Sequence, residues 1–182
     1  MQTTDENQSF TAQLFVDNKP VALAGKVIRK MLESPDFSEK EKDVLKKQLD
    51  LYADVLLSYA EDVTPETFLF AHQDDVYTIK IEDRDGNFKN TASMEGELRN
   101  LSVFDGDDPT YFRIIHQGEY VKLDDMPNEL NTIRLRSGPQ RREVLTYGQL
   151  PNFPILTDKE NRGGRTLFLE LKIIKRHVST AF

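Results

Sequence analysis

Apolar residues follow two different periods along the chain, and the period changes near residue 65. Phe10–Val16 has the composition of a short strand, and the turn-forming residues 17–20 follow it. From Val21 onward, apolar residues recur every three or four positions, which predicts a short amphipathic helix. This helix is expected to end before Pro35, because the residue that precedes a proline is disfavoured in helical geometry.

A second and longer helix is predicted over residues 38–63. Ser38 and Glu41 have the spacing of a capping box, in which each side chain accepts a hydrogen bond from the other residue's backbone N–H. Apolar residues then form a seam at four- and three-residue spacing: Leu45, Leu49, Tyr52, Leu56 and Tyr59. This seam either packs on the chain's own domain, which we favour, or forms a dimer interface as a short coiled coil.

After residue 66 the apolar residues mostly alternate with polar ones, which predicts strands. The expected strands lie at 67–72, 76–82, 97–104, 111–117, 119–123, 132–136, 143–147 and 166–175. The predicted fold class is therefore α+β, with an N-terminal helical hairpin packed on or next to an antiparallel β sandwich or a partly open barrel of about eight strands.

The same pattern predicts how the chain is organised. Residues 1–9 lack apolar periodicity and are expected to be flexible. Residues 10–65 form a short strand plus the helical hairpin, and residues 66–182 form an antiparallel β domain. The two larger parts either share one core or fold separately.

Composition excludes several kinds of chemistry. The 182 residues include no cysteine, so disulfides, thiolate zinc sites and cysteine nucleophiles are excluded. The histidines His72, His116 and His177 lack metal-ligand spacing, and no glycine-rich phosphate loop is present. No apolar run reaches the roughly 18 residues of a membrane span, and the first residues do not resemble a signal peptide. We therefore expect a soluble cytoplasmic protein that has no cofactor and is a binding protein rather than an enzyme.

One short segment resembles an enzyme signature. In the strand TLFLELKIIK at 166–175, alternation places Glu170 and Lys172 on one face, and Asp158 precedes this strand. An acidic residue followed by Glu-x-Lys on a strand resembles the motif of the PD-(D/E)xK nucleases. The resemblance implies that Asp158 and Glu170 hold Mg²⁺ or Mn²⁺ while Lys172 orients water for phosphodiester attack. Metal-dependent nuclease activity is therefore one alternative function.

Charge is unevenly distributed along the chain. Residues 1–130 contain 14 Lys and Arg against 27 Asp and Glu, whereas residues 131–182 contain 10 against 4. The positive segment is dominated by arginine, whose planar guanidinium group suits bidentate recognition of carboxylates and phosphates. The predicted binding residues are Arg134, Arg136, Arg141, Arg142, Arg162 and Arg165. Strand alternation places Arg134 and Arg136 on one face and Ile133 and Leu135 on the other.

Three functions are open for this positive segment. It contacts an acidic face of the same chain or of a second copy, it binds an acidic protein partner, or it binds nucleic acid. The net charge of −7 disfavours nucleic acid, because phosphates repel an acidic protein unless its positive residues are segregated. The expected function is therefore a non-enzymatic interaction module that binds a protein partner or itself, with nucleic-acid binding as the second alternative.

Overall fold

The computed structural model describes residues 8–148 and 151–180. The flexible N-terminus predicted at 1–9 lies, as far as residue 7, outside the described residues. The strands, numbered in chain order, are β1 (Phe10–Val16), β2 (Lys19–Leu23), β3 (Leu57–Tyr59), β4 (Phe68–Gln73), β5 (Val76–Ile81), β6 (Asn90–Glu95), β7 (Asn100–Phe104), β8 (Phe112–His116), β9 (Glu119–Val121), β10 (Leu130–Ser137), β11 (Arg142–Glu143), β12 (Leu145–Tyr147), β13 (Ile155–Thr157), β14 (Arg165–Thr166) and β15 (Leu169–Arg176). The helices are α1 (Ala24–Leu32) and α2 (Glu39–Tyr52).

Six of these strands close into an antiparallel barrel. Around its wall the order is β1, β4, β5, β8, β10 and β15, and β15 pairs again with β1. The ring closes between β5 and β8, where Tyr77 lies opposite Phe112. The remaining nine strands extend from this ring. Because β1 lies between β4 and β15, residues on both sides of position 65 contribute to the same barrel wall.

The prediction of a sandwich or partly open barrel of about eight strands is wrong. In the described residues 43% lie in strands and 18% in helices, so the protein is mostly β, with a closed six-stranded barrel and nine further strands. Strand β6, which the sequence pattern did not predict, shows why fewer strands were expected than are present. Its only apolar residues are Ala92 and Met94, and the polar Thr91 and Ser93 beside them are buried as well, so the strand carries little apolar signal in the sequence.

The long helix predicted over 38–63 ends eleven residues earlier than expected. Its start is confirmed, because Ser38 and Glu41 form the predicted capping box. However, α2 ends at Tyr52, and Leu57–Tyr59 forms β3, which pairs with β2. The apolar spacing continues past the end of the helix because Leu56 and Leu57 are also buried. They are buried by strand pairing rather than by helix packing, since Leu56 forms a β-bridge with Ser102 and Leu57 begins β3. Pairing with a distant strand therefore overrides the local helical pattern.

Aromatic side chains fill one end of the barrel. The rings of Phe10 and Phe70 stack at a centroid distance of 4.8 Å, and Tyr77 meets the ring of Phe10 edge-on at 5.6 Å. The Tyr77 hydroxyl donates to the backbone carbonyl of Gln8 at 2.9 Å and accepts from the backbone N–H of Leu123 at 3.1 Å. Burial raises the pKa of Tyr77, because the phenolate would lose its hydration. The barrel interior is therefore packed with side chains.

Strand β10 is the element that positions the candidate site. Ile133 and Leu135 are almost completely buried inside the barrel, whereas Arg134 and Arg136 lie on the outer face. The predicted alternation along this strand is confirmed. The same holds for β15, where Leu169 and Leu171 are buried and Glu170 between them is partly exposed. One strand therefore supports both the core and a charged surface.

Candidate functional site

The outer face of the barrel carries a group of arginines that strand register brings together. Arg136 on β10 lies opposite Arg113 on β8 and, on its other side, opposite Glu143 on β11. Arg134 lies opposite Ile115, which in turn lies opposite Tyr120 on β9. Paired residues in antiparallel strands point to the same face of the sheet. We call the outer-face residues Arg113, Tyr120, Arg134, Arg136, Arg141 and Glu143 the arginine face.

A single carboxylate lies between two guanidinium groups at the centre of the arginine face. Arg134 Nη1 donates to Glu143 Oε1 at 2.9 Å, and Arg136 Nε donates to Glu143 Oε2 at 3.1 Å. The side chains of Arg134 and Arg136 remain 27% and 36% exposed. A guanidinium group carries five N–H donors, so both arginines keep donors that Glu143 does not use. The two positive charges therefore exceed the one negative charge at this place.

Tyr120 supplies the aromatic part of the arginine face. Arg136 Nη1 donates to the Tyr120 hydroxyl at 3.2 Å, and the guanidinium carbon of Arg141 lies 5.4 Å from the centre of the tyrosine ring. Burial by itself would raise the pKa of Tyr120, but the hydrogen bond from Arg136 and the charges of Arg136 and Arg141 outweigh it and lower the pKa. This lowered pKa reflects a positive electrostatic potential around the ring.

The turn between β10 and β11 places Arg141. The backbone N–H of Arg141 donates to the carbonyl of Gly138 at 3.1 Å, and both residues have positive φ, 53° and 66°. A left-handed conformation is uncommon for a residue with a side chain, so this tight turn constrains where Arg141 extends. The side chain reaches back over Tyr120 rather than away from the barrel. A third cation thereby joins Arg134 and Arg136.

The other predicted arginines lie elsewhere. Arg142 precedes Glu143 on β11, and neighbouring residues of a strand point to opposite faces. Arg162 donates to the Asn100 side chain at 2.6 Å and stacks over the ring of Tyr147 at 4.6 Å. Arg165 lies on β14, next to the strand that carries Tyr147. Of the six predicted arginines, the structure therefore groups Arg134, Arg136 and Arg141 and places Arg162 and Arg165 in a second group.

Asp158 belongs to a buried network. Its two carboxylate oxygens accept from Arg99 Nε at 2.9 Å and Arg99 Nη2 at 2.7 Å, and Ser137 Oγ donates to it at 2.6 Å. The Asp158 side chain is completely buried. These contacts connect the end of β10 to β13 and to the β6–β7 turn. The arrangement is that of a structural ion pair.

The structure does not bring Asp158 together with Glu170. Thr132 Oγ1 donates to Glu170 Oε1 at 2.7 Å, whereas Asp158 contacts Ser137, five positions further along β10. Five strand residues span about 16 Å. In the part of the chain that the structure describes, no group of three or more Asp, Glu or His is placed to hold a metal ion. The nuclease hypothesis, with Lys172 as its third residue, stays a prediction.

The apolar seam of the second helix packs largely within the chain. Leu45 is completely buried, and Leu49 packs against the same cluster between α1 and α2. The Tyr52 ring lies 6.2 Å from that of Phe153. Leu56 and Tyr59 lie outside α2, and the Tyr59 hydroxyl is hydrogen-bonded to Thr146 Oγ1 at 2.6 Å. Four of the five predicted interface residues therefore have partners within the chain, whereas Tyr52 is 37% exposed. A dimer interface through this seam stays a prediction.

Three members of the arginine face, Arg113, Tyr120 and Glu143, are not among the binding residues predicted from the sequence. Arg113 lies in the part of the chain where acidic residues predominate, and Glu143 was noted only as the start of an expected strand. Both lie opposite Arg136 because of strand register, which pairs Arg136 with residues 23 and 7 positions away. Alternation along 111–117 predicts that Arg113 and Ile115 share one face of their strand. It does not predict that this strand lies beside β10.

Comparisons with protein-family models, curated proteins and solved structures found no match. Within the described residues, no helix is long and apolar enough to cross a membrane. Functional inference therefore depends on the geometry and charge of the arginine face.

Proposed function

We propose that the protein is a non-enzymatic interaction module that binds an acidic protein partner through the arginine face. The observation that carries the proposal is the excess of cations around Glu143. Arg134 and Arg136 share this one carboxylate, both stay about one-third exposed, and Arg141 adds a third cation over Tyr120. A partner carboxylate can accept the guanidinium donors that remain unused.

The composition of the arginine face supports a protein partner. Arginine and tyrosine are enriched at protein interfaces and dominate the binding energy there. Tyr120 presents a rigid ring that is 44% exposed between Arg136 and Arg141. The net charge of −7 opposes binding to nucleic acid, whose phosphates would meet the acidic surface of the rest of the chain. The partner is sought first in the cytoplasm, the compartment that we expected from the sequence.

The proposal is tested by site-specific photocrosslinking in native cells. A photoreactive phenylalanine analogue replaces Tyr120, which is 44% exposed and belongs to the arginine face, so that an aromatic ring is kept at this position. The matched control carries the same analogue at Leu51, which is 64% exposed on α2. We expect protein adducts from position 120 and few from position 51. Equal adducts from both positions, or nucleic acid as the main adduct at position 120, would overturn the proposal.

Charge reversal then tests which side chains are responsible. The double variant Arg134→Glu with Arg136→Glu is expected to lose the crosslinked partner at least about tenfold, because two attractive contacts with an acidic partner become repulsive and juxtaposed like charges disfavour association. The control, Lys46→Glu with Lys47→Glu on exposed positions of α2, changes the net charge equally. Circular dichroism and thermal unfolding of both variants exclude loss of the fold. If the two double variants crosslink alike, the arginine face is not the binding site.

A further inference from the structure

The edge of β10 next to the arginine face is only partly paired. On one side, Leu130 to Ile133 pair with β15. On the other side, β8 pairs with β10 only from Arg134 to Ser137. Among the described residues, no strand pairs with Leu130–Thr132 on this second side. An unpaired strand edge presents backbone N–H and C=O groups that can accept another strand.

A tight turn keeps β8 from covering this edge. β8 ends at His116, and Gln117 and Gly118 both have positive φ, 52° and 81°. Two consecutive residues with positive φ form the two-residue turn that suits a hairpin, so the chain reverses into β9. A longer β8 would have continued beside Leu130–Thr132. Because β8 ends first, no described strand occupies this position.

The backbone of Thr132 points into this vacant path. Its carbonyl oxygen lies 3.0 Å from His116 Nδ1, on the β8 side of β10. Within a strand, the N–H and C=O of one residue point to the same side and alternate from residue to residue. The carbonyl of Leu135 accepts from Val144 on the opposite side, which agrees with this alternation. The N–H groups of Leu130 and Thr132 therefore face the unpaired edge.

A surface groove of about 530 Å³ lies along the same edge. Leu130 and Phe168 border it and are 56% and 59% exposed, a large fraction for apolar side chains. Arg134 lines the groove and also belongs to the arginine face, while no Asp or Glu is among the described lining residues. The groove thus combines backbone N–H groups that no described strand pairs with, exposed apolar surface and positive charge.

We infer that this groove binds an extended acidic segment of the partner, which adds to β10 as an antiparallel strand in the path that β8 leaves. This inference rests on the proposed function and names the form of the partner. Backbone hydrogen bonds to Leu130 and Thr132 supply affinity, as in other cases of strand addition. Residues of the segment whose side chains point outward lie beside Arg134, where carboxylates fit, and the intervening residues point inward, where apolar side chains fit.

The test uses a tethered probe, so that weak binding is still detected. The chain has no cysteine, and Asn128 is exposed at the entrance of the groove. In the variant Asn128→Cys, a disulfide links the C-terminal cysteine of the peptide Glu-Val-Glu-Val-Glu-Gly-Gly-Cys, so that the peptide runs antiparallel to β10, and the tether raises its local concentration to about the millimolar range. Amide hydrogen exchange is followed by NMR. We expect exchange at Leu130 and Thr132 to slow at least about tenfold, because each amide gains a hydrogen bond.

Three control probes identify the mode of binding. A peptide N-methylated at its glutamates loses the N–H groups that face β10 in an antiparallel pair, and we expect it to give no protection. A peptide N-methylated at its valines keeps those groups, and we expect protection to remain. A peptide with lysines in place of glutamates is expected to leave exchange unchanged, because Arg134 repels it.

Each contrary result overturns the inference in a distinct way. Equal protection by the two methylated peptides shows that strand addition does not occur, and protection by the lysine peptide shows that acidity is not recognised. Protection that rises with protein concentration in the untethered chain assigns the edge to a second copy. If crosslinking at position 120 captures a protein while Leu130 and Thr132 stay unprotected by the glutamate probe, this inference fails and the proposed function stands.

Discussion

Two carboxylates of this protein, Asp158 and Glu143, each receive hydrogen bonds from guanidinium groups, yet their surroundings differ. Asp158 is completely buried and receives two donors from one arginine and a third from Ser137. Glu143 is partly exposed and lies between two arginines, with a third cation nearby. At Asp158 one cation balances one anion, whereas at Glu143 cations are in excess.

We interpret this difference as the one between a structural ion pair and the proposed binding surface. Arg99 is also held by the backbone carbonyl of Met94, to which its Nη1 donates at 3.1 Å, so most of its donors are used. Arg134 and Arg136 keep free donors at the surface, where a partner can reach them. The two networks even share a strand, since Ser137 and Arg136 are neighbours on β10. The ratio of donors to acceptors, together with exposure, distinguishes the two roles.

The largest effect is expected from breaking the buried pair. Asp158→Ala leaves the buried Ser137 hydroxyl and the Arg99 guanidinium, whose side chain is 33% exposed, without their acceptor, and a buried polar group left unsatisfied destabilises a protein by about 1–3 kcal/mol. Urea unfolding at neutral pH measures the loss. The double variant Asp158→Leu with Arg99→Met is expected to recover much of the stability, because an apolar pair of similar volume needs no counter-charge. A loss below about 1 kcal/mol in the single variant would contradict the structural role of Asp158.

A smaller effect is expected from the corresponding change on the arginine face. Glu143→Gln keeps the shape of the side chain and removes its charge, and we expect the free energy of unfolding to change by no more than about 1 kcal/mol. Under the proposed function, the same variant retains the crosslinked partner at least as well as the wild type, since one competing carboxylate is lost. A destabilisation comparable to that of Asp158→Ala would show that both carboxylates have the same structural role.

The smallest effect concerns the ionisation of Tyr120. Because Arg136 and Arg141 lower its pKa, the phenol should lose its proton at a lower pH than an ordinary tyrosine. The phenolate absorbance of Tyr120 is obtained as the difference between titrations of the wild type and Tyr120→Phe. Arg136→Gln is expected to move this titration to higher pH, because the phenolate loses a donor and a nearby positive charge. An unchanged titration would show that the positive potential at the ring does not come from Arg136.

Local patterns predicted several elements correctly for a physical reason that acts over short distances. The capping box of Ser38 and Glu41 depends on residues three positions apart, and the alternation on β10 depends on neighbours. The strand Phe10–Val16 was predicted with its observed bounds. By contrast, the first two residues of β2 were predicted as part of a turn and its last three as the start of a helix, because its pairing with β3 involves residues more than 30 positions away.

The candidate site divides in the same way. That Arg134 and Arg136 share a face follows from alternation, and that positive charge concentrates after residue 130 follows from composition. The sequence could not show that Glu143 lies between them or that Arg113 and Tyr120 lie beside them, since register between strands is a tertiary property. Nor could it show that Asp158 is buried against Arg99, 59 residues away.

By itself, therefore, the sequence determined which residues of a strand face the core, where α2 begins and where arginine is abundant. These features arise from the spacing of apolar side chains and from hydrogen bonds between near neighbours. Only the tertiary structure decided that six strands close into a barrel, that α2 ends at Tyr52, and that one arginine-bound carboxylate is buried while another is accessible. These outcomes depend on contacts between distant segments, whose free energy no local pattern records.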